Sequence, residues 1–528
     1  MTGTVRDAVF ALCRDAGMTT LFGNPGSTEL RMLRDFPGDF RYVLALQESV
    51  AVAAAAGHAL GTGRAALVGL HSAGGVGHGL GAVFNAYRDR VPLVVFAGQA
   101  ARPMIQHRPF LGADEPAVFP RPYVKLSRQP DRAQDVPAAF AEAYRVAMTP
   151  PRGPVFLSVP EDDWDAPAPP VPHRDVHASF TADPAALREV ADALGAARAP
   201  VVVVGAGVDD ENAQPLVVTL AERLAAPVWT APMCGRSGFP EDHRLFRGFL
   251  PPVRDQLTAR LHGHDVILVL GAPVFTYHVD SDGPYVPEGA RLFHLDCDPA
   301  QTAWAAVGTS VLTTVRGGLR GLLDLVGDSG RALPEPRPRP APPDPGSLTA
   351  DLVLETLHGL LPEDAVVVDE APSHRNIVHA RLPVRRPGGY LTTGSGALGW
   401  GLPVAVGRAL AGTGERVVCV IGDGSIMYSV QALWTAARHR APLTVVVLNN
   451  QGYAAVKALG RRIGLASVPG TDIEGLDLVR VAEGLGVPGR AVTGTADLTA
   501  ALREGLGRAG PFLVDVPVLA DDSPAYRP

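Results

Sequence analysis

Two sets of oxygen-bearing residues follow apolar runs of strand length in the last third of the chain. Gly422-Asp423-Gly424-Ser425 ends the run from Val417 to Ile421, and Asn449-Asn450-Gln451-Gly452 ends the run from Pro442 to Leu448. Between them, Ser429 to His439 has the spacing of a crossover helix. A right-handed strand–helix–strand crossover brings both strand tails to one edge of a sheet. Asp423, the Asn450 amide and a backbone carbonyl near Gly452 would meet there as hard oxygen donors, a set suited to Mg²⁺ (or Ca²⁺) shared with a phosphate. Gly424 allows close backbone approach to such a phosphate, and the following helix offers it its N-terminal amides. The same residue types also build ordinary turns, so spacing alone leaves both readings open.

Three further groups could move protons or hold a ligand. Glu48 follows a strand at Tyr42 to Leu46 and opens an alanine-rich helix, Val50 to Leu60. A carboxylate there can simply answer the helix dipole, while its apolar neighbours Leu44, Ala45, Leu46 and Val50 would raise its pKa. His71 ends the strand Ala65 to Leu70, where an α/β sheet binds ligands, and imidazole suits proton transfer near neutrality. His278 lies on a loop after the strand Val266 to Leu270, a position that is silent by itself, and His78 reads as structural. Ser27, after Asn24-Pro25-Gly26, could be a helix N-cap.

The elements that must position these residues alternate short Val/Leu/Ala runs with helical patterns. Such alternation implies an α/β protein of doubly wound parallel sheets. Two proline-rich stretches, Asp165 to Pro172 and Leu333 to Pro345, read as semi-rigid linkers that divide the 528 residues. Three domains are expected, over 1–172, 183–330 and 346–528. The middle one opens with Pro200 to Gly207, where Val208-Asp209-Asp210 replaces the third glycine of a dinucleotide fingerprint. A scaffold role is the preferred reading there.

Composition narrows the function. A net charge of −7 and a pI near 6.1 give no reason to expect nucleic acid. Positive charge is carried almost wholly by arginine, with Lys125 and Lys457 as rare exceptions. Cys13, Cys234, Cys297 and Cys419 lack metal spacing and fit reduced core residues of a cytoplasmic protein. Thr4 to Gly17 is amphipathic and charged, unlike a secretory leader, and no apolar run is long enough to span a bilayer.

The paired GDG and NN motifs resemble the diphosphate–metal motif of thiamine diphosphate (ThDP) enzymes. Phe22 to Leu30, Leu46-Gln47-Glu48 and Leu70 to Gly75 resemble the pyrimidine-binding domain of the 2-keto acid decarboxylases, and among these the benzoylformate decarboxylases. Pro120-Arg121-Pro122, Gly153 to Trp164, Gly271 to Phe275 and Gly396 to Trp400 extend the resemblance over nearly the whole chain.

The resemblance implies a pyrimidine-binding, a middle and a diphosphate-binding domain, with ThDP and Mg²⁺ as cofactors. Glu48 would hydrogen-bond the aminopyrimidine, and Leu398 would wedge between the two cofactor rings. Asn24, Pro25, Ser373, Gly396, Gly424, Ser425 and Tyr453 complete the cofactor contacts, and Asp423, Asn450 and Gly452 hold the metal. Ser27 would bind the substrate carboxylate, and His71 and His278 would act jointly as acid and base. Leu111, Thr392, Thr393, Val456 and Leu459 fall where the family lines its substrate pocket, giving a less aromatic and slightly more polar floor. Gln451 stands where glycine is more usual. The implied activity is non-oxidative decarboxylation of a benzoylformate-like 2-oxo acid to an aldehyde and CO₂, with carboligation as a side reaction. A synthase of the acetolactate type, or an acyl-CoA lyase, is the alternative. The implied assembly is a homodimer with shared sites, paired into a homotetramer.

Overall fold

Strands rich in Val, Leu and Ala collect into three six-stranded sheets, as the alternating pattern predicts. The computed structural model describes residues 3–519. The first sheet contains β1 (Thr20–Gly23), β2 (Arg41–Leu44), β3 (Ala66–Leu70), β4 (Leu93–Gln99), β5 (Ser127–Arg128) and β6 (Pro154–Pro160), in the order β2-β1-β3-β4-β6-β5. The second contains β7 (Pro200–Val204), β8 (Val228–Thr230), β9 (Phe246–Phe249), β10 (Val266–Leu270), β11 (Arg291–Asp296) and β12 (Thr309–Leu312), in the order β12-β11-β10-β7-β8-β9. The third comprises β13 (Val366–Glu370), β14 (Tyr390–Leu391), β15 (Val417–Gly422), β16 (Leu443–Asn449), β17 (Gly489–Ala491) and β18 (Phe512–Pro517), and includes the run β13-β15-β16-β18-β17. The described pairings between these strands are parallel. Strands β3, β7, β10 and β13 are buried along their whole length, as helices on both faces require.

The chain divides into two compact units. One gathers Met1–His177, Pro345–Ser373 and Ala397–Pro528, and the other Ala178–Asp344 and His374–Gly396. The first sheet and strands β13, β15, β16, β17 and β18 thus share a unit, while β14, Thr392, Thr393, Gly396 and His278 belong to the unit of the middle sheet.

Within the first unit, helix Glu48–Thr62 crosses helix Gly401–Leu410. A side chain on Gly57 would overlap the Val404 carbonyl, and one on Gly407 would overlap the Ala54 carbonyl. Backbone therefore meets backbone at both points, and the alanines between are fully buried. The run that reads as helix Val50 to Leu60 keeps small residues, Ala54 and Gly57, where the two backbones meet.

The linker stretches are docked by backbone hydrogen bonds and by arginines. Pro167 bridges Thr4, and the Ala168 amide donates to Gly3. In the other unit Arg381 donates to the carbonyls of Pro340 and Ala341, and Arg337 to that of Phe246. Proline removes donors but leaves acceptors, and guanidinium groups use them. No helix among the described residues is long and apolar enough to cross a membrane.

The glycines after β7 have a packing role. A Cβ on Gly205 would overlap Ala272, and one on Gly207 would lie 2.8 Å from Gly271 Cα. The Gly207 amide donates to the Gly271 carbonyl at 2.9 Å. Asp209, two residues further on, accepts from the Gly388 amide at 2.8 Å. Burial pushes its carboxyl up to about 6, against the pull of Arg236 and that amide.

A raised folded-state pKa means that the folded chain keeps this proton where the unfolded chain has released it. Asp209's contribution to stability is therefore fully present below its ordinary value of 3.8 and is lost as pH rises through about 6. Asp209→Asn keeps the acceptor and removes the titration. In thermal melts from about pH 4 to about pH 7, the variant's melting temperature should gain on that of the wild type as pH rises. A difference that stays constant across the range would show that Asp209 does not titrate there.

Candidate active site

The ends of β1 and β3, neighbours at the point where the strand order of the first sheet reverses, carry one cluster. After β1, Asn24 and Pro25 lead into a 3₁₀ turn, Ser27–Glu29. Gly26 is the N-cap of this turn, and Ser27 is its first residue with an exposed side chain. The N-cap reading of Ser27 is corrected accordingly, because Glu29 reaches back to the Gly26 amide at 2.9 Å and does the capping.

Glu29, which the sequence reading did not single out, is the centre of this cluster. It is 4% exposed and accepts from the Gly26 and Gly98 amides and from Thr28 Oγ1. Its Oε2 also lies 3.0 Å from His71 Nδ1, with Thr28 Oγ1 at 3.1 Å from the same nitrogen. A carboxylate partner fixes Nδ1–H and leaves Nε2 as the atom free to exchange a proton with a ligand. The only local signal for Glu29 was its place three residues after Gly26, which reads as an ordinary capping box.

His71 itself caps helix Ser72–Arg88, whose Gly75 links it to Glu48. A Cβ on Gly75 would lie 3.4 Å from His71 Cβ and 3.3 Å from Glu48 Oε1. Glu48 is the first residue of its helix, behind the N-cap Gln47, and is 8% exposed. His78, to which the sequence reading gave no chemical role, approaches Glu48 Oε2 at 3.3 Å. His278 is exposed in the other unit, where its amide donates to Pro252 at 2.8 Å.

The second cluster sits where β15 and β16 end. Asp423 begins the short helix Asp423–Met427 and is 3% exposed. Its Oδ2 is buried with no hydrogen-bond partner. Burial raises its pKa against the opposing effect of the Gly424, Asp423 and Gly452 amides. A buried carboxylate oxygen without a donor is costly unless a cation completes it, so the donor chemistry fits a metal ion. No group of three or more His, Cys, Asp or Glu side chains among the described residues could hold one, which leaves amide and carbonyl oxygens as Asp423's co-ligands. Asn450 and Gly452 follow β16 directly.

Packing holds this loop. The Tyr453 amide donates to Thr471 at 2.8 Å, the Ile473 amide to Gln451 at 2.9 Å, and Lys457 pairs with Asp472 at 2.5 Å. Gln451 adopts a left-handed φ of 56°, which explains why glycine is more usual there. The Cβ position of Gly424 is filled by the Tyr453 ring, so its first duty is to admit that ring. Ser425 is buried, and Ser373 Oγ accepts from the Ala455 amide at 3.1 Å.

Leu398 is half-buried in the turn before helix Gly401–Leu410. The expected pocket residues differ in character. Leu111 is 40% exposed with φ 62°, its carbonyl accepting from Ser72 Oγ, and Val456 is 44% exposed. Leu459 is half-buried. In the other unit, Thr392 Oγ1 accepts from Arg375 at 2.9 Å, and Thr393 Oγ1 lies 2.9 Å from Ser395 Oγ.

Comparison with known proteins gives three consecutive family matches. "Thiamine pyrophosphate enzyme, N-terminal TPP binding domain" matches residues 3–116, its central domain 187–322, and its C-terminal TPP binding domain 372–516. Benzoylformate decarboxylase of Pseudomonas aeruginosa is 42% identical over 520 residues, 97% of this chain and 98% of that one. The crystal structure of benzoylformate decarboxylase from Polynucleobacter necessarius superposes with a TM-score of 0.97 at 37% identity, covering 99% of this chain and 100% of the other. The Rhodococcus jostii RHA1 thiamine diphosphate-dependent 4-hydroxybenzoylformate decarboxylase superposes with a TM-score of 0.96 at 39% identity, again over 99% and 100%.

The Gly26–His71 contact makes a direct test. A methyl group on Gly26 would overlap the His71 ring at Nδ1 and displace it from Glu29. Gly26→Ala should cut turnover on the enzyme's 2-oxo acid by about a hundredfold, the scale of a 1 Å misplacement of a reacting group. Circular dichroism and the melting temperature should change little. Turnover equal to wild type would show that the imidazole position is immaterial.

Proposed function

The chain belongs to the thiamine diphosphate-dependent 2-oxo acid decarboxylases related to benzoylformate decarboxylase, and from that premise we propose that it converts an aryl 2-oxo acid of the benzoylformate type to the aldehyde and CO₂ with the help of Mg²⁺. The observation that carries the metal is the partnerless Oδ2 of Asp423. Asp423, the Asn450 side chain and the Gly452 carbonyl would hold the cation, and Gly424 and Ser425 would face the diphosphate. Asn24, Pro25, Ser373, Gly396 and Tyr453 would contribute to the rest of the cofactor's surroundings.

Bound thiamine diphosphate would supply an electron sink for the pair left behind when the carboxyl carbon departs as CO₂. The chain's own residues would supply the rest. Glu48 would hydrogen-bond the aminopyrimidine ring, and Leu398 would press between the two rings. Ser27 would hold the substrate carboxylate in the crevice at the ends of β1 and β3. His71 Nε2 would deliver a proton to the carbon that lost the carboxylate, its ring held at Nδ1 by Glu29. His278 would take the hydroxyl proton as the aldehyde leaves. Leu111, Val456, Leu459, Thr392 and Thr393 would select the side chain of the acid. A cytoplasmic homodimer with shared sites, paired into a tetramer, and carboligation of a second aldehyde complete the proposal.

A panel of aryl and aliphatic 2-oxo acids, with CO₂ and aldehyde both measured, tests the activity. Aryl acids should turn over best, and the absence of CO₂ release from every acid would refute it. Asp423→Ala should weaken Mg²⁺–ThDP binding at least tenfold by calorimetry while leaving the fold intact, since an unpaired diphosphate charge remains. Unchanged affinity would remove Asp423 from the metal. For the shared site, Glu48→Gln and Asp423→Ala chains, each inactive alone, should recover roughly a quarter of wild-type activity when co-expressed and paired at random. Verified mixed dimers without turnover would place each site within one chain.

A further inference from the structure

The turn that carries Leu398 is clamped from both sides by buried side chains remote in sequence. On its N-terminal side, Asn85 Nδ2 donates to the Ala397 carbonyl at 3.2 Å. On its C-terminal side, Glu370 Oε1 accepts from the Gly399 amide at 2.8 Å, and Oε2 from the Trp400 amide at 2.8 Å and from the Gly401 amide. The Ala397 carbonyl and the Gly399 amide belong to the two peptide planes that flank Leu398, so both planes are fixed. Asn85 and Glu370 are 2% and 1% exposed, respectively.

We propose that Glu370 and Asn85 are positioning residues that set where Leu398 stands in the cofactor site. The assignment rests on the reading above, in which Leu398 presses between the two cofactor rings. Glu370 ends β13 and is paired in register with Ile421 of β15, two residues before Asp423. Asn85 lies on helix Ser72–Arg88, which His71 caps and whose Gly75 touches Glu48. The turn is thereby referenced to the strand pair that carries the metal-binding carboxylate and to the helix beside the proton-moving groups.

The glycines of the turn suit this role. A Cβ on Gly401 would lie 2.7 Å from Glu370 Cβ, so the carboxylate reaches the amides only because position 401 has no side chain. Gly399 has φ 89°, a left-handed conformation that a larger residue would strain, and its Cβ would lie 3.1 Å from Tyr428 Cβ. An ordinary helix cap satisfies amides from within or just before the helix. Glu370 comes instead from a neighbouring strand and also takes the Gly399 amide, which lies outside the helix.

A helix cap and a positioning residue differ in what they change. Loss of a cap lowers stability and affinity together, whereas a misplaced Leu398 spares affinity and slows activation of the bound cofactor. Glu370→Gln keeps the shape but replaces one accepting oxygen with a donor. Asn85→Ala releases the other side of the turn and tests the clamp alone should Glu370→Gln fail to fold. For each, three quantities are measured on the Mg²⁺-loaded protein: the ThDP dissociation constant, the C2–H/D exchange rate of bound ThDP by NMR, and the melting temperature. Exchange should slow by about ten- to a hundredfold while affinity stays within about threefold. Wild-type exchange rates in folded, ThDP-saturated variants would overturn the proposal, and so would equal losses of affinity and exchange, which mark a plain cap. Wild-type protein that binds ThDP without accelerating exchange would instead sink the functional reading, and the positioning role with it.

Discussion

The contact on which the first unit depends involves almost no side chains. Gly57 lies against the Val404 carbonyl and Gly407 against the Ala54 carbonyl, a reciprocal pair with the same three-residue offset in both helices. Contacts through long side chains can relax by changing rotamer, but two backbones in contact cannot. An added methyl on either glycine would have to move a whole helix, and overpacking of that kind typically costs about 1–3 kcal/mol. The consequence reaches the site because of what stands at the helix starts. One helix opens with Glu48 and the other follows the turn of Leu398, so the crossing fixes both N-termini in one frame.

Buried carboxylates carry the site's second constraint, and three of them, Glu29, Glu370 and Asp423, differ in how they are satisfied. Glu29 spends its acceptors on two amides, a hydroxyl and the His71 ring. Glu370 takes three amides in succession, yet burial still pushes its carboxyl up to about 7, so desolvation outweighs those hydrogen bonds. Asp423 keeps one oxygen partnerless. An unsatisfied buried acceptor costs about 1–3 kcal/mol, and more when charged. Glu29 and Glu370 are therefore complete within the chain and suited to holding other groups still. Asp423 is incomplete by itself and suited to a cation.

What the sequence made legible was what short-range spacing encodes. Apolar runs of strand length place β10 at Val266–Leu270 as expected and β3 and β16 within about one residue. The residues after those strands, including His71, Asp423 and Asn450, follow from the same rule that ligands gather at strand ends. Glu29, Asn85 and Glu370 escaped because their partners lie 42, 312 and 29 to 31 positions away, where no local pattern records the pairing. Gly424 shows a subtler limit. Its type suggested a phosphate neighbour, but the space it leaves is taken by Tyr453, a choice that depends on how a later loop folds back. The proline-rich stretches read correctly as donor-poor, while Arg381, which docks the second one by its carbonyls, is distant in sequence.

The same distinction changes how selectivity is to be read. From residue type, Thr392 and Thr393 make the expected pocket floor slightly polar. Both are almost fully buried, and their hydroxyls are engaged by Arg375 and Ser395 in their own unit. A threonine whose hydroxyl is already engaged offers a neighbour mainly its methyl group, so these two act more like small apolar residues than their formula implies. Leu111 is held in a left-handed conformation by the bond from Ser72 to its carbonyl. Such strain persists only where surrounding structure imposes it. Of the side chains expected to choose the substrate, Thr392 and Thr393 are therefore small, apolar in effect and anchored through their hydroxyls, and Leu111 is anchored through its backbone. Apolar side chains discriminate by shape, and a missing or added methylene against them is worth about 1–3 kcal/mol.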